Sequence, residues 1–152
     1  MLLDERSEFA DAVAVSTGGA ATTLLGDVMD LGTVRDIGVA KPPLYLVIQV
    51  STAVAGGTSL QFVLASDSQA AIATDGNETR HSLTDAFAVA DLVQGFQTAI
   101  PLPTGDVANS VAPYERFLGV LVIGVGTQTA GAINAFLTAS VPSTRSYPDA
   151  QN

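Results

Sequence analysis

Two apolar runs with a period of two, residues 44–50 (LYLVIQV) and 117–125 (FLGVLVIGV), set the frame for this chain, because side chains alternate faces along a strand and not along a helix. In the first, Leu44, Leu46, Ile48 and Val50 share one face, with Tyr45, Val47 and Gln49 on the other. Burying four such side chains contributes on the order of 1.5–3 kcal/mol each before conformational entropy is subtracted. The second run is apolar on both faces, Phe117, Leu121 and Ile123 on one and Leu118, Val120 and Val122 on the other, which suits a central strand covered on both sides. Leu60, Phe62 and Leu64 alternate with Ser59, Gln61 and Val63, and Ile133, Ala135 and Leu137 alternate with Asn134, Phe136 and Thr138. Short Gly-containing links join the first run to 59–65 and the second to 133–141, a pattern that predicts two hairpins. A weaker strand is expected at 79–83, and extended pieces at 86–93 and 96–102, broken by Gly95 and Pro101. Many strands with no long helical period predict an all-β sandwich, a jelly roll of about eight strands being one solution.

The same reading divides the chain into three parts. Residues 1–41 are expected to form an N-terminal arm with extended segments, including a short helix over 7–14 ended by Gly18-Gly19 and strands near 28–31 and 33–39. Lys41-Pro42-Pro43 marks the boundary, since two prolines remove backbone donors and bias the preceding residue towards extended geometry. Residues 42–141 form the sandwich core, with a helical turn expected within 66–75, and 142–152 form a polar, Pro-containing surface tail. Leu2, Leu3 and Phe9 are apolar groups set among charges in the arm. They are the candidate contacts with a neighbouring chain, because extended arms bury such residues against a neighbour.

Composition narrows the function. The 152 residues carry a net charge of -9 with six Lys and Arg that form no basic run, so no nucleic-acid partner is expected. There is no Cys, which removes thiol catalysis, thiolate zinc sites and disulfides, and fits folding in a reducing cytosol. Mean hydropathy is +0.37, yet no apolar stretch approaches the ~20 residues that span a bilayer, so no membrane partner is expected. Met1-Leu2-Leu3 runs straight into Asp4-Glu5-Arg6, without the basic start and long apolar stretch of a secretory leader.

The polar motifs read as turns. His81 is the single imidazole, which excludes paired-His metal sites, and Ser82 and Asp85 beside it do not by adjacency make a catalytic triad. Gly124-x-Gly126 with Gly131 lacks the Lys-Ser/Thr of a phosphate loop. Asp75-Gly76-Asn77-Glu78 lacks the ligand spacing of a twelve-residue calcium loop, and Asn77-Glu78-Thr79 matches the glycosylation triplet without a secretory context. Asp27 with Asp30, or Asp85 with Asp91, lack the aromatic platforms usual around glycosidase carboxylates. No catalytic, cofactor-binding or metal-binding residue is expected, and the chain reads as a structural or binding protein and not as an enzyme.

Several blocks, taken in order, carry a resemblance. The opening MLLDERSEFAD, PLYLVIQV (43–50), SDSQAAIATDG (66–76), PYERFLG (113–119), NAFLT (134–138) and YPDA (147–150) resemble capsid cement proteins of tailed phages, of the Bordetella-phage type, over essentially the whole chain. The resemblance implies a jelly-roll decoration protein, made in the host bacterial cytoplasm. It also implies a place on the outer surface of the virion head, where the protein clamps neighbouring major capsid protein subunits as a homo-oligomer, with no cofactor. The alternative from the residues alone is a carbohydrate-binding or host-adhesion β-sandwich, and a jelly-roll hydrolase stands third.

Overall fold

The computed structural model describes residues 5–15, 18–38, 41–104 and 113–141. Among them run nine strands: β1 (Glu8–Ala14), β2 (Ala21–Asp30), β3 (Tyr45–Gly56), β4 (Ser59–Asp67), β5 (Thr79–Leu83), β6 (Phe87–Ala88), β7 (Gln97–Pro101), β8 (Phe117–Val125) and β9 (Gln128–Thr138). Single 3-10 turns cover Glu5–Ser7 and Val89–Asp91. One sheet has the order β1-β9-β3-β7 and the other β2-β8-β4-β5, with β6 beside β4, and every pairing is antiparallel.

The order has a simple origin. Pairing β1 with β9, β2 with β8, β3 with β7 and β4 with β5 makes one long ribbon of nested partners. Rolling that ribbon over itself brings β9 against β3 and β8 against β4. The product is a jelly-roll β-sandwich. Its core lies between the sheets, where Leu46 and Ile48 of β3, Phe62 and Leu64 of β4, Val120 of β8 and Ile133 of β9 are fully buried. The inward faces are those that alternation assigns.

Three local expectations differ from the structure. Residues 8–14 are strand β1 instead of helix: pairing with β9 from Glu8↔Phe136 to Ala14↔Ala132 outweighs the weak helical preference of this alanine-rich stretch. The two expected hairpins are corners instead, because β3 and β4 lie in opposite sheets, as do β8 and β9. Alternation says which face points inward, and a strand that crosses to the other sheet satisfies it as well as one that pairs alongside. The segment after β4 is a non-helical loop shaped by Asp67, whose carboxylate accepts the amides of Gln69 (3.1 Å) and Ala73 (3.0 Å). These two bonds hold the Asp67 carboxyl below the usual carboxylate range, that from Ala73 foremost.

The first forty residues supply strands to both sheets: β1 is the edge of one and β2 the edge of the other. A cis Lys41–Pro42 peptide precedes β3. The outer face of the β2-β8-β4-β5 sheet carries a second apolar cluster of Val63, Ala65 and Leu121, which Ile72 from the Asp67-capped loop covers and on which Leu24, Val28 and Ile123 pack half-buried. That loop accounts for the two-sided apolar pattern of β8.

Candidate functional site

Phe9, one of the three expected contact groups, is 1% exposed and belongs to the core cluster between the sheets. Its position on β1 turns it away from any outside partner in this conformation. Leu2 and Leu3 lie outside the described residues.

Beside Phe9 runs a shallow seam where the edge strands β1 and β2 meet. Two adjoining hollows of about 450 and 340 Å³ lie along it and share Glu8 and Asp27, with Asp11 lining one and Arg6 and Asp30 the other. The strands touch at Gly26, where an added Cβ would strike the Phe9 carbonyl oxygen. Asp30 is clamped by Arg116, whose Nε and Nη2 donate to its two oxygens at 2.9 and 2.8 Å. This bidentate bond, with the Gly32 amide at 2.7 Å, pulls the Asp30 carboxyl down to about 2. The seam is open and predominantly acidic. It offers polar and backbone groups to an approaching surface and repels a polyanion.

Both edge strands are irregular. The β1 register shifts between Glu8 and Ala10 and again between Ala10 and Val13, with Ala12 at φ 47° and its amide donating to Asn134 Oδ1 at 2.6 Å. The β2 register shifts between Leu25 and Met29. Bulges and acidic side chains on edges are means by which sandwiches avoid uncontrolled edge-to-edge pairing.

His81 on β5 has neither Ser82 nor Asp85 as its partner. Its Nε2 lies 2.7 Å from Ser66 Oγ of β4, and its ring stacks on Tyr114 with centroids 4.0 Å apart. Ser66 is fully buried, and its Oγ accepts the Glu115 amide at 2.9 Å. A serine so enclosed has no face open to a substrate. Burial pulls the imidazole down to about 4, against the opposing charge of Asp36, so the ring is neutral at pH 7. Ser82 Oγ is buried without a hydrogen-bond partner.

The turn acids have local tasks. The Glu78 side chain is fully enclosed, pairing with Arg80 at 2.7 Å and accepting the Gly76 amide at 2.9 Å. Burial raises its pKa, and these bonds with that from its own amide outweigh the rise, leaving it below the ordinary value. Asp75 accepts the backbone and side-chain nitrogens of Asn77. Asp75-Gly76-Asn77-Glu78 is therefore a self-bonded turn. Among the described residues no three His, Asp or Glu side chains converge as a metal site, and no helix is long and apolar enough to cross a membrane.

One feature escaped the sequence reading. Tyr114, fully buried, donates its hydroxyl to the Pro103 carbonyl at 2.6 Å and accepts the Arg35 amide at 3.2 Å on its own carbonyl. Burial, with the Asp36 charge adding to it, pushes its phenol well above the ordinary value. A tyrosine directly after Pro113, just ahead of the apolar run of β8, gave the only signal.

Among solved structures, a chain of infectious bursal disease virus Gx strain matches with 20% identity and a TM-score of 0.43. The match covers 86% of the present chain and 30% of the viral one, so the present chain spans under a third of its length, a likeness too slight to carry an argument. No curated protein matches. The Bbp16 family profile aligns with residues 9–137, from the second residue of β1 to the penultimate residue of β9. That span takes in nearly the whole sandwich, and the chain belongs to Bbp16, a Bordetella phage protein family, consistent with a phage structural protein.

Proposed function

We propose that this chain is a capsid cement protein, which binds the outer surface of a tailed-phage head as a homo-oligomer and stabilises contacts between neighbouring major capsid subunits. The observation that carries the proposal is the family match across nearly the entire sandwich. The blocks resembling phage cement proteins support it, as does the net charge of -9, which suits a position away from packaged DNA. Leu2 and Leu3, ahead of β1, serve as contact groups in this proposal, whereas Phe9 serves the core.

A cement protein need not bind strongly at each contact. A symmetric clamp that touches several subunits gains effective concentration from its geometry, and a ligand that binds only the assembled lattice stabilises it by mass action. Heads lacking the protein should rupture at lower temperature than complete heads, and adding purified protein back should restore them. Equal heat resistance with and without it removes the cementing role. Binding to a glycan array with none to heads replaces this reading by a carbohydrate-binding one.

A further inference from the structure

At one end of the sandwich five pieces of chain meet around the His81–Tyr114 pair. The segment after β2 arrives through the Arg35 amide on the Tyr114 carbonyl, and the segment after β7 through the Pro103 carbonyl on the Tyr114 hydroxyl. Strands β4 and β5 contribute Ser66 and His81, and the segment entering β8 contributes Tyr114 and Glu115. The Glu115 carboxylate accepts the Thr79 hydroxyl at 2.7 Å, which ties it to β5 a second time.

Proton positions in this knot follow from counting donors. Ser66 Oγ takes up the Glu115 amide, and the one hydroxyl hydrogen of this buried residue has His81 Nε2 as its acceptor. With the hydroxyl donating to Nε2, the imidazole is neutral and carries its proton on Nδ1. We propose that His81 is an acid-sensitive latch: a proton on Nε2 removes the acceptor of the Ser66 hydroxyl, drives the ring towards water, and loosens segments 31–38 and 113–116 while the two sheets stay paired.

The surrounding charges set the pH range. Asp36 is the carboxylate whose field favours the imidazolium, and it is itself occupied with the Gly38 amide at 2.8 Å. Glu115 is engaged by Thr79, Glu78 by Arg80 and Arg116 by Asp30, and Arg35 stands beside Tyr114 on the facing segment. Burial outweighs Asp36, so the ring binds its proton less readily closed, at about 4, than when opened, at its ordinary 6.5. The latch is fully fastened above the opened-state value and weakens as pH falls from 6.5 through 4, because the open state then holds more protons.

The device does not depend on capsid binding, and its test uses the full chain alone. Amide hydrogen-exchange protection of Arg35 and Glu115 should fall by about tenfold between pH 7 and pH 5, while that of Val47 in β3 holds. His81→Gln, which keeps an acceptor for Ser66 and does not titrate, should abolish that fall. Because His81 is the only histidine, its own NMR titration gives a second readout in the unaltered chain. An Nδ1–H tautomer is expected, with a pKa well below 6.5 and coupled shifts at the Glu115 amide. Protection that does not change with pH, an equal fall in His81→Gln, or a pKa near 6.5 without those shifts overturns the proposal.

Discussion

Phe9 and its neighbours Leu2 and Leu3 look alike in the sequence, as apolar groups among charges, and are expected to respond differently when replaced. Phe9→Ala should cost about 3–5 kcal/mol of stability in denaturant unfolding, since it empties a fully enclosed site in the core. Leu2→Ser with Leu3→Ser should leave the unfolding midpoint unchanged and weaken binding to heads, measured by co-sedimentation. The charge pattern that suggested contacts for all three could not separate them, because it shows neither the pairing of β1 with β9 nor the register shift beside which Phe9 and Ala10 are both buried. His81 was harder still. Its partner Ser66 lies fifteen residues back, delivered by the β4–β5 register with its shift between Leu64 and Ala65, and no local spacing encodes a register shift.

Strand positions were more legible than strand neighbours. The expected strand over 79–83 coincides with β5, and the inward faces of β3, β4, β8 and β9 follow from alternation alone. What alternation leaves out is the partner, so the two corners read as hairpins, and β1 and β2 read as an arm because their pairing strands lie about a hundred residues away. The meeting of β1 with β2 gives an element-scale test. Gly26 (φ 67°) and Gly76 (φ 99°) both have left-handed backbone, but only at Gly26 would a Cβ strike another strand, whereas Gly76 faces open space. Gly76→Ala should cost about 1 kcal/mol for its backbone alone, and Gly26→Ala at least about 2 kcal/mol, because the Phe9 carbonyl it would strike lies between Glu8 and Ala10, both paired with β9. Thermal unfolding of the two variants side by side checks the difference.

As a whole, the molecule combines a closed core with guarded edges. The β1 and β2 edges carry bulges and acids, the β7 edge ends at Pro101, and the outer cluster of the second sheet lies under the Asp67-capped loop. Edges guarded in this way resist uncontrolled pairing with the edges of other sheets. The nested strand order has a further consequence, which concerns time and not shape. β8 and β9 leave the ribosome after every other described strand, yet β8 lies between β2 and β4, and β9 between β1 and β3. β3 can pair with β7 and β4 with β5 beforehand, but neither sheet can take in β1 or β2 until β8 and β9 have been made, so the first two strands spend that interval without their ladder partners. A fragment of residues 1–104, which stops after β7, should be digested rapidly by protease and show no cooperative unfolding transition. If it resists digestion as the full chain does, the early strands have found another way to pair.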